Sequence, residues 1–102
     1  YAHHPAEIRA TLKGLRAAVG DRSIVAVFQP HRYSRMRNVM KDFDHVFEDA
    51  DIVVVTDLFT AKETPVAGVS TEAIFEEIKN TSPNCIYMPR DTLVDQLAAS
   101  VP

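Results

Sequence analysis

The sequence predicts an α/β fold: a doubly wound, mostly parallel, Rossmann-like sheet with helices on both faces. Short β-branched segments alternate with helical apolar stripes along the chain, in the order α-β-α-β-α-β-α. Residues 52–56 are apolar on both faces, which is typical of a parallel strand that is covered on both sides. Because the pattern starts and finishes with a helix, we expect one further strand at each end and hence a domain truncated at both ends.

The first half of the chain is predicted to form a helix, a strand and a helix. Pro5 suits the first turn of the first helix and Gly20 its end. The apolar face of this helix contains Ile8, Leu12, Leu15 and Val19. Residues 23–28 form the first predicted strand. The second helix is predicted from a stripe spaced by three and four residues, with His45 on its surface: Met36, Val39, Met40, Phe43, Val46 and Phe47.

The second half is predicted to contain two strands and two helices. A loop of 13 residues, 57–69, follows the strand 52–56, and its length indicates a functional role. Ser70 is expected to cap the next helix, which carries Ile74, Phe75 and Ile78. Cys85 opens the last strand, residues 85–88, and is expected in the core. Asp91 is expected to cap a final helix that carries Val94, Leu97 and Ala98.

Length and composition limit the classes of protein that fit. A chain of 102 residues has room for one domain and one core. The formal net charge of −3 gives no support for a nucleic acid or an anionic membrane as partner. A single cysteine cannot form an internal disulfide, so the cytoplasm is the expected compartment. No apolar run approaches the roughly 20 residues that span a bilayer.

Candidate binding residues follow the first predicted strand, in residues 29–37. Arg32 and Arg35 are three residues apart and would point the same way if this segment winds into a helix. Two guanidinium groups beside a helix N-terminus suit a carboxylate or a phosphate, and His31 adds a further donor. The alternative is that both arginines are solvated surface residues. Their position at the carboxyl end of a parallel strand, where ligands bind in such folds, favours a binding role.

The adjacent His3 and His4 do not predict a metal site. Neighbouring residues cannot easily chelate one ion from a helix, and no nearby cysteine or carboxylate completes a ligand set. We expect one of the two to cap the following helix and the other to be exposed. Binding of a phosphate or a nucleotide by one of them stays open.

Three segments resemble the C-terminal domain of the Mur ligases, and the resemblance covers essentially the whole chain. Residues 1–8 contain Tyr-Ala-His-His-Pro followed by Glu-Ile, which is similar to an Asp-Tyr-x-His-x-Pro segment of that domain. Residues 27–35 (Val-Phe-Gln-Pro-His-Arg-Tyr-Ser-Arg) and residues 57–70 resemble segments of the family members that attach L-alanine to UDP-N-acetylmuramate.

The resemblance implies an ATP-dependent, ADP-forming amide ligase of peptidoglycan synthesis. ATP would phosphorylate the carboxylate of UDP-N-acetylmuramate, and the amine of L-alanine would attack the acyl phosphate, with magnesium bridging the phosphates. No catalytic residue is assigned in this chain. The carboxylate of L-alanine would be positioned by His31, Arg32 and Arg35. The nucleotide and the reacting phosphate would lie near Tyr1, His3 and His4.

Residues 1–102 are therefore expected to form one domain, the C-terminal domain of a three-domain ligase, in contact with the N-terminal and central domains. No G-x-x-x-x-G-K-[ST] phosphate loop occurs in the chain, so we expect it to hold neither ATP nor magnesium and to be inactive alone. Exposed sheet edges would favour self-association. Two alternatives stay open: a family member that recycles murein peptides, and a non-enzymatic flavodoxin-like regulatory or interaction domain. A phospho-receiver domain of the flavodoxin-like kind needs an acidic cluster after its first strand and an aspartate after its third strand with a lysine beyond. Asp57 and Lys62 match this pattern poorly, and no early acidic cluster occurs.

Overall fold

The computed structural model describes residues 4–100, in which helices and strands alternate as predicted. The helices are α1 (Pro5–Val19), α2 (Tyr33–Val39), α3 (Thr71–Lys79) and α4 (Leu93–Ser100). The strands are β1 (Val25–Phe28), β2 (Ile52–Val55) and β3 (Cys85–Tyr87). Two 3-10 helices, Met40–Phe43 and Arg90–Thr92, follow α2 and precede α4. Within the described residues, no helix is long and apolar enough to cross a membrane.

The three strands are parallel and lie in the sheet in sequence order, β1-β2-β3. Parallel neighbours require a crossover connection, which α2 and α3 provide. The predicted Rossmann-like α/β fold is confirmed. Because the strands are parallel, their carboxyl ends share one edge of the sheet, and the segments that leave these ends are brought together there.

One face of the sheet carries the hydrophobic core. Val53, Val55 and Cys85 face this side and are buried. Residues of α1, α2, the first 3-10 helix and α3 complete the same cluster, among them Ile8, Leu12, Met36, Phe43, Ile74 and Ile78. Cys85 is in the core as predicted, and burial raises the pKa of its thiol to about 11.

The opposite face of the sheet is less well covered. Val54 alternates with two core-facing residues, so it points to this second face, where Val27 and Ile86 are its neighbours on β1 and β3. Val54 is 1% exposed, whereas Val27 is 48% and Ile86 43% exposed. Helical cover of this second face is therefore incomplete in residues 4–100.

Two predicted helix ends are confirmed by their hydrogen bonds. At the end of α1, Gly20 has a φ of 62°, a left-handed conformation that suits glycine, and its N–H donates to the carbonyl of Arg16 over 3.0 Å. At the start of α3, the hydroxyl of Ser70 accepts from the N–H of Ala73 over 3.1 Å.

The second helix is shorter than predicted. The expected stripe ran to Phe47, but α2 ends at Val39 and continues only as the 3-10 helix Met40–Phe43. Asp44 is then extended and His45 has a φ of 65°, so the chain leaves the helix while Phe47 stays buried. Spacings of three and four also fit a 3-10 helix followed by turns, so the pattern alone could not locate this end.

Several smaller boundaries also differ from the prediction. The strands predicted at 52–56 and 85–88 each end one residue earlier, at Val55 and Tyr87. Asp91 lies inside the 3-10 helix Arg90–Thr92 instead of capping α4. Strand β1 begins at Val25 and not at residue 23, because the N–H of Ile24 donates to the side chain of Asp51 and not to a neighbouring strand.

Candidate functional site

A hydrogen-bonded network links the carboxyl ends of all three strands. Gln29 follows β1, Asp57 follows β2, and Tyr87 and Arg90 lie at and after the end of β3. Gln29 donates from Nε2 to the carbonyl of Asp57 over 3.2 Å and accepts at Oε1 from Nη1 of Arg90 over 3.1 Å. The carboxylate of Asp57 accepts from the hydroxyl of Tyr87 and, over 3.0 Å, from the N–H of Arg90. This network holds the three strand ends in a fixed relation.

The same network shifts the pKa values of two of its members, Asp57 and Tyr87. The hydrogen bond from Tyr87, followed by that from the N–H of Arg90, holds the pKa of Asp57 below its usual value. In return, the hydrogen bond to Asp57 raises the pKa of Tyr87 to about 12. At neutral pH, Asp57 is therefore an anion that accepts hydrogen bonds, and Tyr87 is a neutral donor.

The segment that carries the predicted carboxylate site is attached to the loop after β2. His31 and Phe59 form an isolated parallel bridge, with their ring centroids 5.5 Å apart. The N–H of Arg32 donates to the carbonyl of Phe59 over 2.7 Å, and the N–H of Phe59 donates to the carbonyl of Pro30 over 2.8 Å. These bonds extend the β1–β2 pairing beyond the sheet and fix the backbone of His31 and Arg32.

Arg32 and Arg35 were expected to point the same way if one helix contained both, and this condition is not met, because α2 begins at Tyr33. Arg32 precedes α2 with a φ of 66°, a left-handed conformation that is uncommon outside glycine, and its carbonyl accepts from the N–H of Met36. Arg35 lies in the first turn of α2. Both arginines are exposed, and neither side chain forms an ion pair or a hydrogen bond within residues 4–100. Their guanidinium groups are thus available to a ligand.

The structure adds one residue that sequence reasoning did not select, Glu63. Its carboxylate accepts from the backbone N–H of Ser34 over 3.1 Å and from the hydroxyl of Ser34 over 2.8 Å. These two bonds, with a smaller contribution from the charge of Arg32, hold the pKa of Glu63 below its usual value. Only the length of the loop, which indicated a functional role, pointed towards this contact.

Of the residues expected near the nucleotide, His4 is described, and Tyr1 and His3 lie outside the described residues. His4 caps α1: its Nδ1 accepts from the N–H of Ala6 over 3.2 Å. His4 also lines an open groove of about 430 Å³ whose charged residues are of both signs, namely Arg9, Lys13, Asp42 and Asp44. No three His, Cys, Asp or Glu side chains cluster to hold a metal ion in the part of the chain that the structure describes.

The chain is a parallel α/β domain with exposed arginines at the carboxyl edge of its sheet, the edge at which ligands commonly bind in such folds. Comparison with known families identifies the family to which this domain belongs. The sequence profile described as "Mur ligase, glutamate ligase domain", which represents the C-terminal domain of these enzymes, matches residues 1–101. The chain therefore belongs to the Mur ligase family, as its C-terminal domain. This membership excludes the flavodoxin-like alternative and confirms the resemblance seen in residues 1–8, 27–35 and 57–70.

Individual relatives agree with this membership. The UDP-N-acetylmuramate–L-alanine ligase of Brachyspira hyodysenteriae is 46% identical over 89 residues, which cover 87% of this chain and 19% of that protein. The ligase of the same name from Protochlamydia amoebophila is 44% identical over 99 residues, covering 96% of this chain and 22% of that protein. The bifunctional enzyme MurC/Ddl of Chlamydia pneumoniae is 41% identical over 98 residues, 95% of this chain and 12% of that enzyme. The chain thus spans about a fifth or less of these relatives.

Proposed function

We propose that residues 1–102 form the C-terminal domain of an ATP-dependent, ADP-forming ligase that joins L-alanine to UDP-N-acetylmuramate in the cytoplasm, through an acyl phosphate. The observation that carries this proposal is the similarity of almost the whole chain to proteins named UDP-N-acetylmuramate–L-alanine ligase. In this proposal the domain works with the N-terminal and central domains of its own chain, contributes to peptidoglycan synthesis, and has no activity by itself.

In this reaction the chain's own contribution is to hold the incoming amino acid. His31, Arg32 and Arg35 bind the carboxylate of L-alanine, so that its amine is directed at the acyl phosphate. The exposed guanidinium groups of Arg32 and Arg35, which have no hydrogen-bond or ion-pair partner within residues 4–100, support this role, because a guanidinium binds a carboxylate through paired, charged hydrogen bonds. Fixing the amino acid in a reactive orientation removes much of the entropic barrier to the reaction.

ATP and magnesium do not fit the described residues as a complete site. No phosphate loop occurs in the sequence, and residues 4–100 contain no cluster of three potential metal ligands. We therefore assign the phosphates and the metal to the central domain. Tyr1, His3 and His4 stay a proposed border of the nucleotide site, and His4 would also fix the start of α1 there through its bond to Ala6.

The assignment is tested by steady-state kinetics of the full-length ligase with Arg32→Ala and Arg35→Ala. A charged hydrogen bond contributes roughly 1.5–3 kcal/mol, so either variant should reduce kcat/KM for L-alanine by about ten- to a hundredfold. The KM for ATP should change much less. Arg32→Lys should recover only part of the loss, because an ammonium group cannot reproduce the two-pronged guanidinium contact.

Arg37→Ala is the matched control, because Arg37 is an exposed arginine on the same helix. It should leave the kinetics of both substrates unchanged. Equal and small effects of all three alanine variants would show that the arginines are surface residues. A wild-type enzyme that ignores L-alanine but couples a murein tripeptide would favour the recycling ligase.

A further inference from the structure

The loop residue Glu63 holds the arginine-bearing segment at a second point, through two hydrogen bonds from Ser34. The Arg32 backbone is held by Phe59, and two residues later the backbone and hydroxyl of Ser34 are held by Glu63. Arg32 itself has a φ of 66°, a left-handed conformation that an arginine does not adopt without support from its surroundings. Both supports come from the loop after β2, at residues 57–69.

A tight turn in the loop directly precedes Glu63 and places its carboxylate beside Ser34. Ala61 and Lys62 are consecutive left-handed residues, with φ values of 52° and 65°. The N–H of Glu63 donates to the carbonyl of Thr60 over 2.9 Å, which closes a tight turn around them. Neither residue is glycine, so the turn is strained and depends on the contacts that surround it. The bonds between Glu63 and Ser34 are the side-chain contacts that connect this turn to α2.

Glu63 binds Ser34 and forms no ion pair with Arg32 or Arg35, which have no such partner elsewhere in residues 4–100. Each of its two oxygen atoms accepts a hydrogen bond from Ser34, at 3.1 and 2.8 Å. The ion pairs of the described residues are Lys13–Asp49, Arg16–Asp51 and His45–Glu48, so none joins Glu63 to Arg32. A carboxylate that competed with the substrate would bind the guanidinium itself. This one instead fixes the backbone from which the guanidinium projects.

We propose that Glu63 is a positioning residue for the amino-acid site: through Ser34 it fixes the segment 31–35, so that Arg32 and Arg35 can hold the carboxylate of L-alanine together. This inference rests on the proposed function. Its consequence is that the loop after β2 determines how well the ligase uses its amino acid, although Glu63 itself does not touch the substrate.

The test is the steady-state kinetics of the full-length ligase with Glu63→Ala, Glu63→Gln and Ser34→Ala. Glu63→Ala should raise the KM for L-alanine by about tenfold, because a misplaced binding group costs one to two orders of magnitude. The KM values for ATP and UDP-N-acetylmuramate should stay within about twofold of the wild-type values, because the variant alters only the binding of L-alanine. Glu63→Gln keeps an oxygen acceptor for Ser34 and should recover part of the loss.

A double-variant cycle separates this role from direct contact with the substrate. If Glu63 acts through Ser34, the variant with both Glu63→Ala and Ser34→Ala should be no worse than Glu63→Ala alone. Glu76→Ala, an exposed glutamate on α3, is the matched control and should leave all three KM values unchanged. If Glu63→Ala does not fold, Ser34→Ala and Glu63→Gln carry the test, with their melting temperatures recorded beside the kinetics.

Several outcomes would overturn the role of Glu63. An unchanged KM for L-alanine in Glu63→Ala would contradict the positioning role. A lowered KM would instead show that Glu63 competes with the substrate for the arginines. Effects of Glu63→Ala and Ser34→Ala that multiply in the double variant would mean that Glu63 does not act through Ser34. A wild-type ligase that releases no ADP in response to L-alanine would instead overturn the proposed function, and the inference with it, so the two failures are distinguishable.

Discussion

At the residue scale, one carboxylate stabilises the edge of the sheet opposite to the candidate site. Oδ2 of Asp51 accepts from the N–H of Ile24 over 2.6 Å and from Nη2 of Arg16 over 2.9 Å. Arg16 also donates to the carbonyl of Asp49 over 2.9 Å. Asp51 thus joins α1 to the segments that lead into β1 and β2. The hydrogen bond from Ile24, and after it that from Arg16, holds the pKa of Asp51 below its usual value of 3.8.

The lowered pKa of Asp51 predicts a pH dependence of stability. A carboxyl group whose pKa is lower in the folded state contributes stability above its unfolded pKa, and this contribution is lost as the pH falls through the folded pKa. Asp51→Asn should therefore destabilise the chain at neutral pH, and the difference from the wild type should shrink as the pH falls below 3.8. Urea unfolding across this pH range measures the difference. The exposed Asp21→Asn is the control, and a difference independent of pH for Asp51→Asn would contradict the prediction.

The left-handed Lys62 makes a second prediction at this scale. Glycine at its φ of 65° would relieve roughly 1–2 kcal/mol of strain and lose about 0.4–1 kcal/mol through a more flexible unfolded chain. Lys62→Gly should therefore leave the free energy of unfolding unchanged or raise it by about 1 kcal/mol. The same substitution in the interior of α1, Lys13→Gly, should lower it by about 1 kcal/mol. Equal destabilisation of the two variants in urea would show that the turn is not strained.

At the scale of elements, aromatic packing joins the sheet to the 3-10 helix after α2. The ring of Phe28 on β1 lies 5.2 Å from that of Phe43 and 5.6 Å from that of Phe47, centroid to centroid. Phe43 is 1% and Phe47 2% exposed. The short α2 ends early, and this aromatic group takes over the packing that a longer helix would have provided.

We expect Phe43→Ala to lower the free energy of unfolding by about 3–5 kcal/mol, because it leaves a cavity in the core. That is a large part of the total stability of a small domain, roughly 5–15 kcal/mol. Phe59→Ala is the matched control: Phe59 is 49% exposed and should cost much less. Denaturant unfolding measures both variants, and similar losses would contradict the assignment of Phe43 to the core.

A helix or strand could be predicted from the sequence where the pattern within its own segment determines its structure. Residues 52–56 could be assigned because a β-branched segment buried on both faces fits few other structures. The point after Phe43 at which the chain leaves the helical segment could not, because His45 there has a left-handed φ and its N–H donates to the hydroxyl of Thr81, 36 residues further along the chain. The same limit applied to the site. The strand-end position of Arg32 followed from the pattern, whereas the contact between Glu63 and Ser34 joins residues 29 positions apart and depends on how the loop folds.

At the scale of the whole molecule, the sequence contains no phosphate loop, and the proposed function gives this chain contacts to the amino acid alone. We therefore expect it to bind MgATP alone with a Kd weaker than about 1 mM, or not at all, because the phosphates provide most of the charge that a nucleotide site must match. Titration calorimetry of the isolated chain with MgATP measures this affinity. Micromolar binding would contradict the prediction and would place a self-sufficient nucleotide site in this domain.

The open second face of the sheet leads to the last prediction, that the isolated chain self-associates. Val27 and Ile86 are exposed on either side of the buried Val54, and within residues 4–100 the outer edges of β1 and β3 beside them have no strand partner. Exposed apolar surface next to a strand edge favours pairing with another chain. Sedimentation should show oligomers whose fraction rises with concentration.

Val27→Thr combined with Ile86→Thr should reduce that fraction, since threonine keeps the β-branch and removes apolar surface. Val94→Thr on α4, at a site 77% exposed, should not reduce it. A wild-type chain that stays monomeric at all concentrations would contradict the prediction, and an equal effect of Val94→Thr would move the contact from the sheet to α4.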